Sequence, residues 1–271
     1  MLQYDVIITG GGMVGASLAC ALSGKGLRIA LVEAVELQTR AAPGYDDRAI
    51  ALAFGTRRIF EGLQLWDALA PEAAPIHHIH VSDRGRFGMV HMDRAEEGLP
   101  ALGYVVPARV IGDVLSAAVS RIDELDSFCP ATVTRVSKTD AAISVDIDHN
   151  GEAISLSAAL LVAADGADSP LREQFGIEHI ERDYRQTAIV TNITPQLAHN
   201  NTAYERFTDS GPMALLPMTG QRCAVVWTVD SSRVEGIMAL DDAGFLAALQ
   251  QRFGYRLGRL DRVGRRQAWP L

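Results

Sequence analysis

Cysteine is scarce in this chain. Cys20, Cys129 and Cys223 are the only three in 271 residues, too few and too scattered for a disulfide framework or a thiolate metal site. They read as small buried apolar residues of a reducing compartment. Basic charge is also in deficit, with 25 Lys and Arg against 33 Asp and Glu and a net charge of −8. That excludes nucleic acid as the main partner, since phosphate binding rests on clustered cations. No run reaches the ~18–20 apolar residues of a membrane-spanning helix. No Arg or Lys precedes the short apolar run at residues 5–8, which Gly10, Gly11 and Gly12 interrupt at once, so no secretory leader is expected. Polar tracts are missing, and at 21% charged residues the composition is not that of a disordered chain. A soluble, cytoplasmic protein without a transmembrane segment is expected.

The length predicts about two domains at ~150 residues each, enough to bury a core without disulfide or metal staples. Tyr4 to Thr9 are apolar and β-prone, and Gly10-Gly11-Gly12-Met13-Val14-Gly15 follows. Ala16 to Leu22 then continue as a helix, and Leu27 to Val32 form a second apolar strand closed by Glu33. Strand, glycine turn, helix and strand make the right-handed crossover of a parallel sheet. Gly10, Gly12 and Gly15 have the G-x-G-x-x-G spacing. The first permits the tight turn, the second lets the backbone approach a pyrophosphate, and the third lets helix and strand pack closely. The helix N-terminus supplies N–H groups for the phosphates. Glu33, eighteen residues after Gly15, is placed to bind a ribose 2′-hydroxyl and disfavours a 2′-phosphate there. This much does not separate FAD from NAD.

Further along, residues 34–48 read as a loop, Ala49 to Leu65 as a helix and Trp66 to Leu69 as a turn. Short strands follow between Ile76 and Met92, then a helical stripe over residues 110–125. Ala131 to Asp148 alternates at period two and turns at His149-Asn150-Gly151-Glu152 into Ala153–Leu156. Ala158 to Ala164 is a continuous apolar run, expected as a strand covered on both faces. Strands are expected over 187–193, 202–207, 213–216 and 222–229, and a helix over 241–253. There is no internal repeat. The outline is an α/β nucleotide domain interleaved with a mostly antiparallel sheet.

The apolar run ends in Asp165-Gly166-Ala167-Asp168-Ser169-Pro170-Leu171-Arg172. Here the chain resembles the flavin-dependent aromatic hydroxylases and their D-G-x-x-S-x-x-R motif, with Ala164 in place of the family's usual Gly. The resemblance narrows to the ubiquinone-biosynthesis hydroxylases through Gly44–Leu52, His80–Gly85, Glu205–Thr208, Gly211–Met218 and Phe253–Gly258. It implies a para-hydroxybenzoate-hydroxylase-like fold: a Rossmann-like FAD-binding domain over residues 1–75 and 105–177, and a substrate-binding domain over 76–104 and 178–271. It implies FAD as cofactor, NAD(P)H as co-substrate, and O2 and a prenylated phenol as substrates. Other ubiquinone-biosynthesis proteins are implied as partners, with peripheral contact at the inner membrane left open. Asp165 and Gly166 would lie by the dinucleotide, and Arg48 and Arg109 near the flavin; for Arg109 a surface cation at a helix start reads equally well. The family's third motif, Gly-Asp-Ala-Ala-His, has no counterpart here, since the only Gly-Asp, Gly112-Asp113, lies inside a helical stretch. The expectation is a C-terminally truncated, inactive form.

Other residues invite chemistry without supporting it. His77, His78 and His80 have no Cys or carboxylate nearby in sequence and read as polar residues of a sheet edge, so no metal is expected. Asp46 and Asp47 are adjacent, which suits a solvated loop better than an acid–base pair. Ser169 lacks the G-x-S-x-G elbow of a hydrolase. Trp227 and Leu215-Leu216-Pro217 suit the substrate side of the sheet or simple core packing. No catalytic acid or base stands out. The rivals are a same-fold flavoprotein with another reaction, such as a prenyl reductase or halogenase, and a non-catalytic assembly subunit.

Overall fold

The apolar stretch Leu2–Thr9 forms an inner strand of a six-stranded sheet in the computed structural model, which describes residues 1–35, 45, 48–139 and 142–271. The chain divides into two units, residues 1–41 with 111–181 and residues 42–110 with 182–271.

In the first unit the strands run in the order Leu125–Phe128, Ile29–Val32, Leu2–Thr9, Glu152–Ala163, Ile143–His149 and Ala131–Lys138. The first four are parallel and the last two pair antiparallel. Glu152–Ala163 serves both halves, joining Ile143–His149 through its first residues and Leu2–Thr9 through its last. Helix Met13–Leu22 makes the crossover and buries only small residues, Gly15, Ala16 and Ala19, which lets it lie close to the sheet. Ile7, Ala30, Val145, Ile147 and Leu156 fill the core on one side.

In the second unit a sheet runs Leu260–Val263, Gln186–Pro195, Cys223–Asp230, Gly211–Pro217, Thr202–Thr208, His78–Asp83 and Met89–Asp93, with Gln267–Pro270 also on Gln186–Pro195. All pairs are antiparallel except Thr202–Thr208 with His78–Asp83. Period-two alternation delivers Met213, Leu215, Val225 and Trp227 to one face, where Phe245, Leu249 and Phe253 of helix Asp242–Phe253 cover them. A three-stranded sheet, Ala49–Ala53, Gly103–Pro107 and Ala74–Ile76, completes the unit.

Several expectations are corrected. Ala49–Ala53 is a strand and only Phe54–Gly62 is helical, because Ala51 and its neighbours pair with Gly103–Pro107. Trp66–Leu69 is a short helix. The helix expected to reach residue 125 ends at Val119, and Leu125–Phe128 joins the sheet. The alternating stretch 131–148 is two strands. Ala153–Leu156 and the following run are one strand, and that run is not covered on both faces: Leu160 is 52% exposed. Two strands near the C-terminal end, Leu260–Val263 and Gln267–Pro270, were not expected. Of the cysteines only Cys223 is fully buried, and burial pushes its thiol up to about 12; Cys20 and Cys129 are half-buried.

A candidate dinucleotide site

Two turns meet at the carboxyl ends of adjacent parallel strands. Gly10 follows Leu2–Thr9 and Ala164 follows Glu152–Ala163. The Gly10 N–H donates to the Val32 carbonyl and the Ala164 N–H to the Thr9 carbonyl, each at 2.8 Å. Gly10 has φ +90°, and a Cβ there would lie 2.3 Å from the Ala164 oxygen, so no side chain fits. A Cβ on Gly15 would lie 1.9 Å from the Gly10 oxygen. Gly12 is the opposite case. No atom lies within 4 Å of where its Cβ would be, and that free space opens into a cavity. It precedes the first turn of helix Met13–Leu22, which has neither an acidic residue nor a side-chain cap, so its N–H groups are left for a ligand.

Glu33 is held by backbone. The Gly11 N–H donates to its Oε2 at 2.5 Å and the Val35 N–H to its Oε1 at 2.7 Å. An ionised carboxylate has about four acceptor positions, so acceptor capacity remains after these two bonds.

The second motif divides its labour. Ser169 caps helix Pro170–Gln174 by accepting from the Arg172 N–H at 3.0 Å, and Arg172 donates through Nη1 to the Ala167 carbonyl at 2.7 Å. Those two residues lock the turn. Asp165 is presented by it: Oδ2 accepts from the Leu171 N–H at 3.4 Å, while Oδ1 is buried without a partner. A buried carboxylate oxygen left unpaired costs free energy that a ligand donor recovers.

Gly10, Gly12, Glu33, Asp165 and Gly166 line one cavity of about 520 Å³, with Gly15 behind Gly10. The size falls within the range of small-molecule sites. The orphaned Asp165 oxygen, the open space at Gly12 and the uncapped helix start suit the adenosine-diphosphate half of FAD. Ala131, Thr132 and Val133 also line it and were not anticipated. They arrive because the Ala131 N–H donates to the Glu33 carbonyl at 2.7 Å, a pairing with no local signal in the sequence.

Arg48 and Arg109 belong to the second unit and are not among the residues lining this cavity. Arg48 is exposed, its guanidinium 5.7 Å from the Trp269 ring centroid, and Arg109 is half-buried in the first turn of helix Ala108–Val119. Asp46 and Asp47 lie outside the described residues. His78 and His80 stand on an inner strand and not on a sheet edge, with His80 buried between two neighbouring strands. His78 pairs with Asp93 at 3.2 Å, and among the described residues no group of three or more His, Cys, Asp or Glu is placed to hold a metal. No described helix is long and apolar enough to cross a membrane.

A family described as "FAD binding domain" matches residues 3–271. Ubiquinone hydroxylase UbiL of Rhodospirillum rubrum is 36% identical over 98% of this chain and 61% of its own length. Ubiquinone hydroxylase UbiM of Neisseria meningitidis is 31% identical over 100% of this chain and 59% of its own. The chain thus spans about three fifths of the length of these curated relatives. Among solved structures, p-nitrophenol 4-monooxygenase PnpA of Pseudomonas putida superposes with a TM-score of 0.76 at 17% identity, over 99% of this chain and 68% of that one, a likeness of fold.

Proposed function

The chain belongs to the FAD binding domain family, and on that premise we propose that it is part of a monooxygenase that hydroxylates a prenylated phenol, of the 2-octaprenyl-6-methoxyphenol type, in ubiquinone synthesis. One observation carries the cofactor half of this reading: a single cavity joins the open face of Gly12, the fixed Glu33 carboxylate and the unpaired Asp165 oxygen. The names of the ubiquinone hydroxylase relatives support the substrate half.

In this reading Gly12 and the N–H groups of the following turn bind the pyrophosphate, and Glu33 accepts from a ribose hydroxyl. Asp165 Oδ1 accepts from a donor of the dinucleotide, with Gly166 leaving room beside it. Arg48 and Arg109 are assigned to the flavin side. Residues 1–75 and 105–177 serve the dinucleotide, and 76–104 and 178–271 the phenol. This division of labour differs from the packing, which puts residues 42–75 and 105–110 in the second unit and residues 178–181 in the first. FAD, when bound and reduced by NAD(P)H, supplies oxygen activation and transfer. The residues of the chain hold the cofactor and keep water from it.

The test is incubation of the whole FAD-loaded monooxygenase of which this chain is part with NADPH, isotopically labelled O2 and the prenylated phenol. The expected product carries one labelled oxygen on the ring. NADPH consumption that the phenol does not stimulate, with no labelled product, contradicts the substrate assignment.

A further inference from the structure

The second unit gathers His80, His91, Tyr204, Arg206 and Arg256 in one place. His80 and Tyr204 are register partners on adjacent strands with ring centroids 5.8 Å apart, and His91 lies across from His80 on the other side. Their side chains share a face with Arg206, two residues beyond Tyr204. Arg256 Nη1 donates to His80 Nε2, which puts the His80 proton on Nδ1, where it is donated to His91 Nε2 at 2.6 Å. The chain of bonds leaves the His91 Nδ1–H as an unused donor. Arg206 Nε is buried without a partner, and among the described residues neither Arg206 nor Arg256 makes an ion pair. Asp209 lies nearby but serves Arg84, at 3.6 Å, and Arg252. His80, His91, Tyr204 and Arg256 border a cavity of about 500 Å³. Asp93 and Glu96 also border it, and Asp93 is engaged by His78 and by the Ala95 N–H.

We propose that this cavity binds a phosphate-ester anion, held by Arg256 with Arg206 beside it, and with His91 Nδ1–H and the Tyr204 hydroxyl as neutral donors. Two guanidiniums carry two positive charges, whereas one carboxylate brings a single negative charge. A phosphate ester carries close to two charges near neutral pH and three acceptor oxygens, and guanidinium matches it in geometry. The surroundings of His80 agree: burial first, then Arg256, His91 and Arg206, push its basicity down. A bound anion opposes the last three.

Inorganic phosphate is the first probe and vesicles containing phosphatidic acid the second, which separates a soluble phosphate from a lipid headgroup. Phosphate titrated at constant ionic strength should shift the ring resonances of His80 and His91 saturably and raise the His80 titration midpoint. Arg256→Gln, an exposed position, should weaken that response at least about tenfold, the scale of one lost charge-assisted bond; Arg135→Gln on the other unit should not. Vesicle binding that requires phosphatidic acid and is lost in Arg256→Gln assigns the ligand to a lipid, and a phosphate response without vesicle binding assigns it to a soluble compound. Either outcome supports the site. If neither probe responds, or Arg256→Gln and Arg206→Gln respond as the unaltered protein does, the proposal fails.

Discussion

Gly12 and Gly15 stand three residues apart in one motif, yet their substitutions should fail in different ways. A Cβ on Gly15 meets the Gly10 carbonyl, so Gly15→Ala should destabilise the fold, by about 1–3 kcal/mol or more as overpacking does. Gly12 has free space around its Cβ position, so Gly12→Val should change stability by no more than about 1 kcal/mol, the scale of a helix N-cap change. It should still abolish flavin retention, because its side chain enters the place assigned to pyrophosphate. Denaturant unfolding and a flavin absorbance ratio for both variants check the contrast. Glu33→Ala should weaken flavin binding by about 1.5–3 kcal/mol, or roughly ten- to 150-fold, read from the dissociation constant. The glycines and Glu33 were legible in the sequence because each answers a local steric or charge demand at fixed spacing. Asp165 was legible as a motif position, but its unpaired oxygen was not, since that depends on how Ser169 and Arg172 lock the turn around it.

Elements were legible where the chain carries long, one-faced patterns and their own punctuation. Helix Asp242–Phe253 is such a case: Asp241 caps it by accepting from the Gly244 N–H at 2.7 Å, and Phe245, Leu249 and Phe253 are buried. Asp241→Ala should cost about 0.5–2 kcal/mol. Phe245→Ala, at 0% exposure and 5.7 Å from the Trp227 ring, should cost about 3–5 kcal/mol. Urea unfolding followed by tryptophan fluorescence measures both. Ala49–Ala53 was misread because Ala and Leu favour helices locally, while its antiparallel partner Gly103–Pro107 lies some fifty residues away. Leu125–Phe128 and Leu260–Val263 are four residues each, too short to display a period, and exist through long-range pairing.

Over the whole molecule, pH should act through the histidines. Burial is the leading cause that holds His77, His80 and His199 below their ordinary 6.5. The unfolded chain therefore takes up protons at a higher pH than the folded one, and stability falls as pH drops from about 6.5 through the folded values. Glu205, raised by burial, works in the opposite sense in the carboxylate range. The urea midpoint should be lower at a pH of about 5.5 than at about 7.5, with the slope unchanged. The central claim is that the Gly12–Glu33–Asp165 cavity binds the adenosine-diphosphate half of FAD. Its most direct test is a titration of FAD into this 271-residue protein beside Gly12→Val and Asp165→Asn, followed by quenching of flavin fluorescence. The account predicts saturable binding to the unaltered protein, no binding to Gly12→Val and weakened binding to Asp165→Asn. Equal binding to all three, with folding intact, contradicts it.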